Sequence, residues 1–255
     1  MRRLFLMGLV VLGLLGSGET MAGQVVRVGG YEFPPFVDSD GGMPKGLSLD
    51  LIAALNKAQS RYEFRFVPVA ARRRYADLGE GRFDVMLFES PEWEWAEKGL
   101  PVDFTSVFLR GGELFITQAR PGRGQDYFAD LKGKRLVGIL GYHYGFAGFN
   151  ADPDYLAGVW GMKLVNTHKS SIDMILADRA DLAVVTDSYL WAYLVRNPAA
   201  RQRLLVSDSY DQAYSHRALV RRNGPIDLAT MNGLLQKLEQ DDTLAALWRR
   251  AGTVR

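Results

Sequence analysis

The sequence predicts an α/β fold in two lobes, each a mostly parallel sheet flanked by helices. Three observations predict it. Short β-branched runs alternate with segments whose apolar residues recur at helical spacing, which favours parallel strands with helices on their faces. That alternation starts near residue 25 and starts again near residue 131. The segments between carry the Gly, Pro, Asn and Ser punctuation of turns.

Val25–Gly29 reads as a strand ending in Gly29-Gly30. Leu51, Ile52, Leu55 and Ala58 mark a helix over Leu49–Ala58, with Ser48 as its expected N-cap. Tyr62–Val67 alternates aromatic and polar residues, as a strand does. Arg72–Leu78 reads as a helix closed by Gly79 or Gly81, and Asp84–Phe88 as a buried strand. Glu113–Gln118 is a strand between the two series. Arg135–Leu140 opens the second one. A turn rich in glycine and aromatics follows, then a helical stretch and a strand around Met162–Asn166. Ser170 or Ser171 caps a helix bearing Ile172, Ile175 and Leu176. Leu182–Val185 is a strand, and Asp187 caps a helix over Ser188–Val195 that Asn197-Pro198 ends. Leu204–Val206 leads back. Leu228, Met231, Leu234, Leu235 and Leu238 form one stripe on a helix over Ile226–Leu238. The N-terminal part alone is a small core, so the C-terminal helices are expected to return to the first lobe. The expected division is 23–112 for the first part of lobe 1, 113–206 for lobe 2 and 207–255 for the return.

Residues 1–22 are set apart as a secretory signal peptide. Arg2 and Arg3 precede the apolar run Leu4–Leu15, and Thr20-Met21-Ala22 is a small-x-small cleavage pattern. The run is shorter than the roughly 20 residues that a membrane span needs. The expected product is exported to the periplasm after cleavage near Ala22. The chain has no Cys, which excludes disulfides, thiolate chemistry and a lipid-modified cysteine. Its net charge of +2 gives no electrostatic footprint for nucleic acid. The three histidines, His143, His168 and His216, lie far apart without metal-ligand spacing, so no metal or other cofactor is expected. There is no GxSxG elbow for a serine hydrolase.

In open α/β sheets, ligands bind outside the C-terminal ends of the strands. The loops there are YEFPPF (31–36), AARRR (70–74) and ESPEW (89–93) in the first series. In the second they are GYHYG (141–145), THKS (167–170) and TDS (186–188). Each carries aromatic, charged or hydroxyl groups of the kind that fix a small polar ligand in a mostly apolar cleft.

The segments YEFPPF, GLSLDLIAALNK, GRFDVML, VDFTSVF, LKGKRLVGILGY and ADRADLAVVTDS, in this order, resemble the periplasmic solute-binding proteins of polar amino acid ABC transporters (extracellular solute-binding proteins, family 3). The likeness runs from about Val25 to Gly252. It implies a two-lobed periplasmic-binding-protein fold of type II, with two hinge strands and closure on a ligand. It also implies a monomer that serves an ABC permease of the inner membrane. The family holds an amino acid by its two backbone ends. An arginine in a TxxR segment after the third strand takes the carboxylate, and an acidic residue of the second lobe takes the ammonium. Asp187 matches the acidic position. The arginine is absent, because the segment here reads FESPEWEWAEKG, with Lys98 the nearest cation. Lysine does not replace a bidentate guanidinium fork. ARRRYADLGEGRFD resembles a divergent branch in which an arginine opens the helix after the second strand, and Arg73 fits that position. GYHYG resembles the Gly-x-x-Tyr-Gly turn of the same branch.

The candidate ligand contacts are therefore Tyr31, Phe33, Arg73, Glu89, Ser90, Trp93, Tyr142, Tyr144 and Asp187. Three consecutive arginines cannot all point one way, and Arg73 is chosen as the cation. The turn at 142–145 is a further candidate, because N–H groups at a helix start attract anions. The ligand is expected to be a small polar solute, an amino acid or a related amine or acid. No bond chemistry is expected. The competing enzyme reading resembles the cyclohexadienyl dehydratases, with Glu89 as a general acid whose pKa is raised by burial beside Trp93. A receptor that feeds a sensor partner is the other alternative.

Overall fold

The computed structural model describes residues 23–39 and 42–252. The expected signal peptide at 1–22 lies outside the described residues. The first series contains β1 (Gln24–Gly30), α1 (Leu47–Ala58), β2 (Tyr62–Pro68), a 3₁₀ turn (Ala71–Arg73) running into α2 (Arg74–Gly79), and β3 (Val85–Glu89). β1 is flanked in parallel by β2 and β3. Then come β4 (Val102–Phe104) and the long β5 (Leu109–Gln118). The second series is β6 (Leu136–Ile139), α3 (Pro153–Trp160), β7 (Lys163–Val165), α4 (His168–Leu176), β8 (Leu182–Thr186) and α5 (Asp187–Arg196). Here β6 is flanked in parallel by β7 and β8. The short α6 (Pro198–Arg203) leads into β9 (Leu204–Arg221), and α7 (Leu228–Gln240) and α8 (Thr243–Ala251) follow.

The strand order is β2-β1-β3-β9-β5-β8-β6-β7, with β4 beside β9. Two parallel cores are thus joined by two antiparallel hinge strands. β5 and β9 pair along most of their length, from Leu109–His216 to Gln118–Leu204, with register shifts after Glu113 and Leu114. The same β9 pairs β3 and β4 in the first lobe. α1 buries Leu47, Leu51 and Leu55 and packs against α7 and α8, whose Met231, Leu235, Leu247 and Trp248 are also buried. The second lobe has its own cluster around Ile116, Val137, Ile172, Val185 and Leu190.

Three helix starts differ from the expected caps. Ser48 lies inside α1 and is buried. Its N–H donates to Phe36 O at 2.9 Å and that of Leu47 to Pro35 O at 3.1 Å, so loop carbonyls satisfy the helix start. Gly46 makes this approach possible: its φ is +116°, and a Cβ there would stand 2.5 Å from Pro35 O. Such backbone is essentially glycine-only and costs about 1–3 kcal/mol otherwise. Gly46→Ala is therefore expected to lower the thermal midpoint by roughly 2–12 °C, at about 2–4 °C per kcal/mol for a chain of this size. An unchanged midpoint would refute the strain. In α4 the cap is Thr167, which accepts from Ser170 N at 3.1 Å, and neither Ser170 nor Ser171 is the cap. Asp187 is the first residue of α5 and Thr186 stands at its N-cap.

Asp84, the residue before β3, fastens three elements. Its carboxylate accepts from Arg27 N at 3.0 Å, Arg27 Nε at 2.9 Å and Arg27 Nη2 at 2.8 Å, and also from Arg221 of β9. Burial pushes this carboxyl up, but the bonds from Arg27 and Arg221 outweigh it and hold its pKa below the usual range.

Candidate functional site

Two cavities meet at Tyr142, in the loop after β6. The outer one encloses about 910 Å³ between the lobes. Glu32, Lys45 and Arg72 line it from the first lobe, and Thr167, Tyr189 and Arg196 from the second. The inner one holds only about 10 Å³, less than a comfortable place for one water. It is walled by Tyr31, Phe33, Trp93, Glu113, Tyr142 and Gln212.

Aromatic packing fills the inner region. Phe33 meets Tyr142 edge-on at 5.3 Å and Trp93 at 5.9 Å, and stacks on Tyr31 at 5.9 Å. Edge-on pairs bring the positive ring edge to the negative face of the neighbour. Trp93 stacks on His143 at 6.0 Å and donates its Nε1–H to Gln212 Oε1 at 3.0 Å. Tyr142 Oη donates to Glu32 O at 3.0 Å, a bond from the second lobe to the first. Gln212 of β9 also donates to Glu113 Oε2 at 3.2 Å and to His143 O. Burial raises the Glu113 pKa to about 8, so it holds a proton at neutral pH.

Behind this layer sits Arg74, 1 % exposed. Its Nη1 donates to Ala71 O at 2.6 Å and to Gly141 O of the second lobe at 3.3 Å. Its Nη2 donates to Tyr75 Oη at 3.0 Å and lies 3.1 Å from His143 Nδ1. The guanidinium also lies over the Tyr31 ring at 4.9 Å and the Tyr75 ring at 4.7 Å. Because Arg74 can only donate, His143 Nδ1 accepts and its proton sits on Nε2, facing Glu94 Oε2 at 3.4 Å. Burial, with Arg74 beside it, lowers the His143 pKa to about 4, so the ring is neutral. Glu89 Oε2 accepts from Trp95 Nε1 at 2.8 Å and lies 3.9 Å from Arg74 Nε. Burial raises the Glu89 pKa, against the opposing pull of Arg74 and the Trp95 bond.

Of the candidates from sequence, Tyr31, Phe33, Trp93 and Tyr142 line the inner cavity, and Glu89 lies behind them, bonded to Tyr31. Arg73 is exposed and pairs with Asp77 at 3.3 Å and Glu80 at 3.6 Å, so the inward cation is Arg74. The 3₁₀ turn sends Arg73 outward and gives α2 its first residue at Arg74. Tyr144 lines neither cavity. It is buried in the second lobe, where its hydroxyl accepts from Ile139 N and donates to Ile139 O at 3.1 Å. Glu89 and Ser90 are buried and line neither cavity, and Ser90 donates to Glu92. Asp187 also lines neither cavity and accepts from Tyr210 Oη of β9 at 2.8 Å. The turn at 142–145 does attract an anion, but the chain supplies it. Asp211 accepts from Gly145 N at 2.8 Å and Phe146 N at 2.9 Å. Sequence reasoning missed Glu113, Gln212 and Tyr214, which reach the site from the hinge strands. Among the described residues no cluster of His, Asp or Glu is placed to hold a metal ion.

The family model for bacterial extracellular solute-binding proteins, family 3, matches residues 26–252. Several solved structures share the fold. An ancestral arginine-binding protein bound to arginine is 22% identical, with a TM-score of 0.67 over 90% of this chain and 98% of that one. The solute receptor for L-cysteine of Neisseria gonorrhoeae is 20% identical, with a TM-score of 0.65 over 89% of each chain. A histidine kinase sensor domain with similarity to periplasmic binding proteins is 20% identical, with a TM-score of 0.66 over 91% of this chain and 97% of that one. No curated protein sequence matches the chain.

Proposed function

Because the chain belongs to the bacterial extracellular solute-binding proteins, family 3, we propose that it captures a small polar solute in the periplasm by closing its lobes. The observation that carries this reading is the cleft of about 910 Å³, lined from both lobes and bridged beside Tyr142. Lobe closure needs groups that each lobe can offer to the same ligand. Here the aromatic layer of Tyr31, Phe33, Trp93 and Tyr142 backs the cleft, and polar side chains stand around its rim. Residues 1–22 act as the export signal, cleaved near Ala22, and the mature monomer hands its solute to an ABC permease. The arginine and cysteine named for similar structures support an amino acid or a related compound. The sensor-domain relative supports a second reading, in which the closed form signals to a partner instead. We read the protein as a binder without turnover. Glu89, which a dehydratase-like reaction would use as its acid, is fully buried and lines neither cavity.

A solute that binds only the native state raises the midpoint by mass action, by about 2.7 kcal/mol at a hundredfold excess over Kd. Amino acids, amines and organic acids screened on protein freed of co-purified solute are expected to yield at least one shift of about 5–10 °C. No shift with any class would sink the binding reading.

A further inference from the structure

We infer that the outer cleft selects a di- or tricarboxylate rather than a zwitterionic amino acid, an assignment that rests on the binding function proposed above. Among the described residues, four cationic side chains line the cleft, namely Lys45, Arg72, Lys169 and Arg196, against the two carboxylates Glu32 and Asp38. Both carboxylates are already engaged. Glu32 Oε2 accepts from Ser39 N at 3.0 Å, and Asp38 pairs with Lys45 at 3.6 Å. Among the described residues, each cleft carboxylate thus already has a partner from the chain itself. On the cationic side, Lys169 pairs with Asp173 at 2.7 Å. Arg72 and Arg196 make no ion pair among the described residues, and they come from opposite lobes. A guanidinium fork takes a carboxylate through two parallel bonds. Closing two uncompensated guanidinium groups into one cleft favours a ligand that brings two negative charges.

A second observation points the same way. His168, 1 % exposed, is part of the cleft wall. Its Nε2 lies 3.0 Å from Thr186 Oγ1, and its Nδ1 has no hydrogen-bond partner among the described residues. If the Thr186 hydroxyl donates to Nε2, the neutral ring carries its proton on Nδ1, a buried donor without a partner beside the cleft. His168 also opens α4, a nine-residue helix whose positive end adds to the attraction for anions. The volume of about 910 Å³ is near the upper end of ordinary small-molecule pockets, with room for more than one amino acid side chain. Tyr189 and Tyr193, stacked at 6.4 Å, give the carbon skeleton an apolar wall.

Calorimetric titration of the mature protein with glutarate, propane-1,2,3-tricarboxylate, L-arginine, glycine and inorganic phosphate tests the assignment. Glutarate or the tricarboxylate is expected to bind. Arg72→Gln and Arg196→Gln should each weaken that binding by about tenfold or more, the loss of a charge-assisted bond. Both side chains are exposed, so the midpoint of the unliganded variants should stay at the wild-type value. Binding of L-arginine or glycine without either carboxylate overturns the selectivity and leaves the solute-binding reading standing. Binding of phosphate alone overturns it as well. Carboxylate binding that both variants retain at full strength overturns the site. Silence toward every compound, with the broader solute screen also silent, removes both readings.

Discussion

Arg74→Met lowers the thermal midpoint by about 6–20 °C, the largest effect expected of any single substitution in this chain. Breaking a buried ion pair by removing one partner costs about 3–5 kcal/mol, and a chain of this size loses about 2–4 °C per kcal/mol. The reason is that Arg74 serves several buried groups at once. It lies beside the Glu89 carboxylate, donates to Gly141 O across the cleft and fixes His143 through Nδ1. Methionine fills most of the volume and supplies none of the donors. A second change discriminates the electrostatic cause from loss of packing. In the Arg74→Met, Glu89→Gln double variant the stranded carboxylate is gone, so the midpoint should recover part of the loss. Arg74→Lys should recover little, because a point charge cannot reproduce the fork that reaches Ala71 O, Gly141 O and Tyr75 Oη together. A single-variant drop below about 2 °C would mean that water replaces the network at no cost.

The second large effect belongs to Asp84. Asp84→Asn keeps the shape and removes the charge that draws Arg27 and Arg221 together. A loss of about 2–3 kcal/mol is expected at neutral pH, in the range of hydrogen bonds to charged groups. It is smaller than at Arg74 because Arg27 is 41 % exposed and can turn to water when its partner is neutralised. The pH dependence gives a sharper reading. The folded-state pKa of Asp84 lies below its unfolded value, which is about 3.9 for an ordinary aspartate. Stability from such a group is fully present above the unfolded pKa and is lost as pH falls through the folded one. The gap between wild type and Asp84→Asn in denaturant midpoints should therefore be constant from about pH 7 down to about pH 5. It should then narrow progressively below about pH 4. A gap that persists unchanged at pH 2 would assign the effect to shape and not to charge.

Much of the fold was legible because its parallel cores are built from uninterrupted apolar strands. β3 and β8 are buried along their whole length, and their sequences VMLFE and LAVVT say so. β9 was legible only in its first three residues. Its buried positions from Gln212 onward begin Gln212, Tyr214, His216 and Ala218, which alternate but are half polar. A period of two is present without the hydrophobic contrast that marks it. The same substitution of polar for apolar hid Glu113 and Gln212 as site residues, since a hinge strand between two lobes needs no apolar face at the cleft. The choice among Arg72, Arg73 and Arg74 depended on where a 3₁₀ turn becomes an α-helix, a boundary that composition does not encode. Asp211 illustrates the opposite case. The turn at 142–145 carries the N–H groups expected to attract an anion, and the folded chain fills part of that place from within, with Asp211 on Gly145 N and Phe146 N.

The path of β9 also bears on the order in which the molecule is put together. As the chain emerges N-terminus first, the strands β5 to β8 and their helices come out as one continuous segment. The first lobe, although begun earlier, waits for the far half of β9 to seat β3 and β4 and for α7 and α8 to cover α1. Until the residues from about Arg217 onward arrive, the N-terminal sheet has an open edge and an uncovered apolar helix, the surfaces most prone to mispairing. The usual sequence in which N-terminal units mature first is thereby expected to reverse, with the lobe that starts the chain completing its packing after the second.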